Sequence, residues 1–298
     1  MMSNVFITGA NGLLGQHLVE CFSQVHKVLA SDLGPDPSFL FSDVRYEPAD
    51  ILDKEKLSSL TASFKPDLII NAAAYSDVDG CEIDKQKAWQ VNVKGVENLI
   101  EICKKEKTKL IHISTDYLFD GRDGPYSEDD RPNPISYYGE TKLESELEIK
   151  ASGIGFLIVR TNVLYGVAEG VNPNFFTWVF HKLRNNERIR VVTDQFNNPT
   201  LVDDLARAIP ELTSKKFSGI MNIAGSEYLS RYDFAQKIAE EFELDRDKID
   251  PVKTENLKQK APRPLKGGLR IDLAKKILKT ELSGVSQGLR HLRKEIML

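Results

Sequence analysis

The chain is poor in the features that mark secreted, membrane-spanning and nucleic-acid-binding proteins. Only three of its 298 residues are cysteines, Cys21, Cys81 and Cys103, and their wide spacing makes neither a pair motif nor a metal motif. Reduced thiols in a cytosolic protein are the simplest reading. No apolar run approaches the roughly 20 residues needed to span a bilayer. No charge of one sign dominates, since 40 Lys and Arg face 44 Asp and Glu. That balance gives no electrostatic footing for nucleic acid or a membrane surface. There is no repeat, low-complexity tract or flexible linker. The start, Met1-Met2-Ser3-Asn4, passes into a strand pattern without a basic region or cleavage site, so a cytoplasmic location is expected. The five histidines, His17, His26, His112, His181 and His291, lack metal-ligand spacing and read as core, cap or surface residues.

What is present is a first half in which short apolar runs alternate with helical patterns. Strands are expected at Val5–Thr8, Lys27–Asp32, Asp67–Asn71, Leu110–Ser114 and Gly155–Arg160. Helices are expected at Leu13–Phe22, Asp53–Phe64 (Asp53 as N-cap), Lys85–Lys105 and Ser136–Ala151. Continuous apolar strands separated by helices imply an α/β fold, a doubly wound, Rossmann-like parallel sheet. Beyond Arg160 the pattern loosens. Helices are expected over Asn172–Asn186, Val202–Leu212 and Arg231–Phe242, short strands near Arg188–Val192 and Gly219–Ala224, and a helical tail from Leu273. We expect a dinucleotide-binding domain over 1–160 and a smaller C-terminal α/β substrate lobe over 161–298, with the chain crossing back to the first domain.

Thr8-Gly9-Ala10-Asn11-Gly12-Leu13-Leu14-Gly15 sits between a strand and a helix. Glycines there allow a tight turn and close backbone approach to a pyrophosphate, and the helix N-terminus offers N–H groups to phosphate. Asp32 ends the second strand, where a carboxylate can bind ribose hydroxyls and repel a 2′-phosphate. It favours NADH over NADPH without excluding the latter. Asp50 and Ile51 follow the third strand and can face the adenine. Asn71, Ala72 and Ala73 end the fourth with small residues that let a cofactor pass.

Thr115-Asp116-Tyr117-Leu118-Phe119-Asp120-Gly121 closes an apolar strand, and Tyr138-Gly139-Glu140-Thr141-Lys142 follows. On a helix, Tyr138 and Lys142 share one face. An ammonium beside the phenol would lower its pKa and make Tyr138 a proton donor for carbonyl reduction.

These motifs, with Val91-Asn92, Arg160-Thr161, Asp194-Gln195-Phe196, Asn198-Pro199-Thr200 and Ala261-Pro262-Arg263-Pro264, span nearly the whole chain. Together they resemble the dTDP-4-dehydrorhamnose reductase family of the extended short-chain dehydrogenases/reductases. The resemblance implies Thr115, Tyr138 and Lys142 as the catalytic set, with Tyr138 and Lys142 also touching the cofactor. Lys142 would bind the nicotinamide ribose. It implies reduction of the C4 ketone of a dTDP-4-keto-6-deoxy sugar by NADH or NADPH, with Tyr75, Asp116, Tyr117, Asn162 and Arg263 toward the sugar nucleotide. A homodimer is compatible with it. Related 4,6-dehydratases carry Asp-Glu after the threonine; here Tyr117 follows Asp116, which favours simple reduction. No metal is expected, since Gln16-His17 stand where some members carry a glutamate that shares Mg²⁺ across a dimer. Val163 replaces a tryptophan common after Arg160-Thr161. The same lineage includes the regulatory beta subunit of methionine adenosyltransferase, so a non-catalytic nucleotide-binding regulator is the alternative, with a sugar-nucleotide epimerase as a third reading.

Overall fold

The computed structural model describes residues 2–39, 41 and 44–296. Met1, and Met297 and Leu298 at the end of the expected helical tail, lie outside the described residues. Seven parallel strands form the central sheet among those described: β1 (Asn4–Thr8), β2 (Lys27–Ser31), β3 (Val44–Tyr46), β4 (Leu68–Asn71), β5 (Lys109–Thr115), β6 (Phe156–Thr161) and β7 (Gly219–Asn222). Their order is β7-β6-β5-β4-β1-β2-β3. The direction of winding reverses between β1 and β4. In such a sheet the crevice beyond the strand C-termini at the reversal is the place for a ligand.

The strands are apolar on both faces because both faces are covered. On one side Val5 and Ile7 of β1 pack with Leu14 and Leu18 of the first helix (Leu13–Ser23) and with Val202, Leu205 and Ile209 of a later helix (Val202–Ser214). On the other side Phe6, Leu29 and Ile69 meet Leu57, Leu99, Ile100 and Ile149 from the helices Lys54–Phe64, Gly95–Glu106 and Tyr137–Ala151. A second core joins Phe176, Phe180, Phe234, Ile238 and Leu289 beside the short parallel pair Ile189–Val192 and Ile249–Val252.

Most expected elements are present within a residue or two, and Asp53 caps its helix by accepting from the Lys56 amide at 2.9 Å. Two differences matter. The helix expected over Lys85–Lys105 runs as Lys85–Trp89, a π-helical turn at Gln90–Lys94, and Gly95–Glu106. The turn aims Asn92 at the chain before it: its side chain bonds both the Tyr75 amide (2.8 Å) and the Tyr75 carbonyl (3.1 Å), and reaches Thr141 Oγ1 at 3.0 Å. A further helix, Val78–Ile83, was not read from the sequence.

Candidate active site

The glycine turn is built around close contacts. Gly9 has φ of +72°, and a Cβ there would lie 2.5 Å from the Ala73 amide nitrogen. A Cβ on Gly15 would lie 2.0 Å from the Gly9 carbonyl oxygen. The loop can therefore hug β4 and the helix can sit tight on the loop only with glycine at both places. Gly12 caps the helix without a side-chain bond, so first-turn N–H groups point to the crevice. Asp32 locks the turn from β2: its carboxylate accepts from the Asn11 amide at 2.9 Å and the Leu33 amide at 2.7 Å.

A cleft of about 1360 Å³ runs from this turn across the strand ends into the second half of the chain. Gly9, Asn11, Gly12, Leu13, Leu14, Gly15, Asp32, Asp50, Ile51, Ala72 and Ala73 line one end, and Thr115, Asp116, Tyr117, Tyr138, Lys142 and Asn162 the other. Three expected residues are not on its wall. Asn71 is buried beneath it, its side chain bonded to Thr8 and His112. The Tyr75 hydroxyl lies against Gly80, with Lys87 Nζ 4.7 Å from the ring centroid. Arg263 is paired with Asp79 at 2.9 Å.

Thr115 ends β5 and its Oγ1 accepts from the Tyr117 amide at 3.2 Å. Ser136 caps the next helix by accepting from Gly139 N at 3.2 Å, which sets Tyr138 and Lys142 in its first two turns. The Tyr117 and Tyr138 rings meet edge to face, centroids 5.7 Å apart.

The expectation that Lys142 lowers the Tyr138 pKa is corrected here. Among the described residues no bond joins the two. Lys142 Nζ lies 2.9 Å from His112 Nε2 and donates to the Ile113 carbonyl at 2.8 Å. β5, lying under the helix, takes the amine that the helix spacing offered to the phenol. Burial raises the Tyr138 pKa above the ordinary phenol value, opposed by the Thr115 hydroxyl. The phenol is thus a fully protonated donor at neutral pH. Burial pushes Lys142 down to about 8, with Glu146 pulling the other way.

Asp116 is 3% exposed. Its Oδ2 accepts from the Gly268 amide at 2.9 Å, while Oδ1 has no hydrogen-bond partner among the described residues. Burial raises its pKa to about 6, held back by the Gly268 bond and by Arg231. An acid whose pKa rises on folding costs stability above that pKa and recovers it as pH falls toward its unfolded value. Asp116→Asn keeps an acceptor for Gly268 and removes the charge. It is expected to stabilise the protein by about 2–3 kcal/mol at pH 8 and by almost nothing at pH 4. Urea unfolding at the two pH values measures this, and equal shifts at both would refute a charge effect.

Sequence reasoning passed over Arg231, Phe175 and Trp178, all on the wall, where Val163, noted as replacing a tryptophan, also lies. Arg231 sits in the first turn of the helix Arg231–Glu241 with its guanidinium carbon 4.9 Å from the Phe175 ring centroid. Only the Ser230…Asp233 capping pattern marked that region, and it signals a helix start rather than a site. Val163 has φ of +40°, a conformation that strains a β-branched residue. Away from the cleft, ligand atoms of Asp203, His291 and Glu295 lie within 4.8 Å of one another, and His17 Nδ1 is 3.7 Å from Asp203. Asp203 stands on the helix Val202–Ser214 and His291 and Glu295 one turn apart on Val285–Ile296, so spacing could show the pair but not the cluster.

The model of the RmlD substrate binding domain matches residues 2–297. The chain belongs to the RmlD substrate binding domain family. Among relatives, it is 34% identical over 270 residues to the probable low-salt glycan biosynthesis reductase Agl14 of Haloferax volcanii, covering 89% of each chain. It is 34% identical to a dTDP-4-dehydrorhamnose reductase of Aggregatibacter actinomycetemcomitans, over 80% of this chain and 79% of that one. It is 32% identical to the beta subunit of methionine adenosyltransferase 2 of Rattus norvegicus, over 83% of this chain and 75% of that one. The crystal structure of Bacillus anthracis dTDP-4-dehydrorhamnose reductase in complex with NADP superposes with a TM-score of 0.86 at 29% identity, covering 99% and 100% of the two chains. The doubly wound sheet described above is thus the fold of this RmlD-family chain, and the resemblance drawn from its motifs holds. No helix among its described residues is long and apolar enough to cross a membrane.

Proposed function

We propose that this chain reduces the C4 ketone of a dTDP-4-keto-6-deoxy sugar, converting dTDP-4-dehydro-L-rhamnose to dTDP-L-rhamnose with NADH or NADPH. The observation that carries this reading is the convergence of the glycine turn with Thr115, Tyr138 and Lys142 in one cleft. In this reading residues 1–160 hold the dinucleotide and 161–298 mainly the sugar nucleotide. The Gly9 and Gly15 contacts pull the loop and the helix tight together, and Gly9, Asn11, Gly12 and Leu13 bring that helix N-terminus to the cleft wall, so the residues present fit a pyrophosphate. When bound, the reduced nicotinamide supplies the hydride. Tyr138 gives its phenolic proton to the carbonyl oxygen as charge develops there. Thr115 donates a hydrogen bond to the same oxygen and fixes its position. Lys142 orients the nicotinamide ribose. Asp116, Tyr117 and Asn162 face the sugar, and the three thiols, free in the structure, suit a cytoplasmic setting.

The test follows reduced-nicotinamide absorbance while dTDP-4-keto-6-deoxy sugars are offered. Oxidation that depends on the keto sugar supports the reading, and its absence with every such sugar would favour a regulator. NADH is the preferred donor in this proposal, because the Asp32 carboxylate meets the adenosine ribose side. Asp32→Asn is expected to move the NADPH/NADH ratio of kcat/KM toward NADPH by about fivefold to tenfold, the worth of one near charge pair at high dielectric, about 1 kcal/mol. An unchanged ratio would remove Asp32 from cofactor selection.

A further inference from the structure

Beneath the cleft floor a row of buried polar side chains crosses three strands at one level. Thr8 of β1, Asn71 of β4 and His112 of β5 are register neighbours, and each is 1% exposed. Thr8 Oγ1 donates to Asn71 Oδ1 at 2.8 Å. The Asn71 amide lies 3.1 Å from His112 Nδ1. Lys142, also 1% exposed, completes the row through His112 Nε2. Buried polar groups need partners, so the direction of each bond can be worked out.

The Ala73 backbone N–H fixes the first step. It can only donate, and it lies 3.1 Å from Asn71 Oδ1. The Asn71 oxygen must therefore face Ala73 and Thr8, which leaves its NH₂ facing His112. His112 Nδ1 is then an acceptor, and a neutral imidazole with a bare Nδ1 carries its proton on Nε2. Two groups meet that Nε2–H. Ser145 Oγ is 3.2 Å away and spends its own proton on the Lys142 carbonyl at 2.8 Å. Lys142 Nζ is 2.9 Å away. A lysine amine can accept from Nε2–H through its lone pair; a full ammonium has none and sets N–H against N–H.

We propose that His112 is a positioning residue for Lys142: its Nε2–H donates to the lysine amine, fixes Nζ under the cleft, and opposes uptake of the third proton. The proposal rests on the reductase reading for its kinetic consequence, though not for its geometry. Burial acts in the same direction, lowering Lys142 to about 8 and His112 well below its ordinary value, the latter helped by Lys142. The other charged or titratable groups around the lysine are accounted for. Glu146 on its own helix favours the ammonium, but Arg160 of β6 holds both Glu146 oxygens at 2.9 and 2.7 Å. Tyr138, one turn earlier, stays neutral, and Asp116 lies beyond it in the cleft. β4 offers only the neutral Asn71. The row thus joins the strand end that carries the glycine turn to the lysine beside the proton donor.

The first measurement uses the unaltered protein: the ring ¹⁵N shifts of His112, assigned by replacing the other four histidines one at a time. At pH 9, where Lys142 is mostly the amine, a protonated Nε2 with a bare Nδ1 is expected, and the opposite tautomer at that pH overturns the proposal. The second compares the parent with His112→Asn, whose amide can still meet Asn71 but cannot reach Nζ. Lys142 titration, followed through its ¹³Cε resonance and identified with Lys142→Met, is expected to move up by about one pH unit in the variant, a tenfold gain in proton affinity. The alkaline limb of kcat should move with it. A variant that loses thermal stability while the lysine titration stays in place would leave His112 a packing residue and sink the proposal. Absence of keto-sugar reduction in the parent would defeat the functional reading alone, because the tautomer and the lysine titration are read without turnover.

Discussion

Tyr138→Phe is expected to lower kcat for keto-sugar reduction by about 10²–10⁴-fold, the usual worth of a positioned general acid, with little change in dinucleotide affinity. The ring is kept, so its edge-to-face contact with Tyr117 and the first turn of the helix survive. Only the proton is lost. Because burial holds the phenol protonated through neutral pH, the parent is poised to donate across that range, and the variant should show no pH at which activity returns. Stopped-flow hydride transfer, together with the fluorescence of bound reduced nicotinamide, separates the two effects. Parent-like transfer rates in the variant would mean that another group supplies the proton. Equal loss of cofactor binding would mean that the ring serves the pocket rather than the chemistry.

The largest stability effect is expected at the buried ion pair behind the site. Arg160 is 1% exposed and Glu146 is fully buried. The guanidinium bonds both carboxylate oxygens and also donates to the Glu128 carbonyl at 3.1 Å. Arg160→Leu leaves the buried Glu146 carboxylate with only Lys150, 3.4 Å from Oε2, as a cation, which costs about 3 kcal/mol, a large share of a typical domain's stability. The double variant Glu146→Leu/Arg160→Met removes both charges and is expected to be markedly more stable than Arg160→Leu alone. Urea denaturation of the set checks the order. Burial raises the Glu146 pKa, but the Arg160 bonds outweigh it and the net shift is downward. The stabilisation is therefore present above the ordinary carboxylate range and is lost as pH falls below about 4. The double variant should lack that acid-sensitive component. A single variant as stable as the double would show that the carboxylate is not stranded.

The sheet was legible because its strands are buried on both faces and so read as unbroken apolar runs. The catalytic segment was legible because a hydroxyl at a strand end and a Tyr-x-x-x-Lys helix are local patterns. Other features depend on which strands become neighbours. His112 looked like a core histidine until the β4–β5 register set it beside Asn71, and Lys142 was assigned to Tyr138 because helix spacing says nothing of the strand below. The π-helical turn escaped notice because its apolar stripe continues that of the flanking helices. Arg231 lies far along the chain from the other cleft residues and carries no local signature.

The place of β7 has a consequence for how the protein is made. The edge of β6 is sealed by a strand that leaves the ribosome roughly sixty residues after β6 itself, and the helix Val202–Ser214, which covers β1, emerges late as well. At ordinary translation speeds of roughly 5–20 residues per second, a nascent chain spends several seconds with an open strand edge and bare apolar surface. A chain ending near residue 160 would keep that edge open and is expected to stick to its copies.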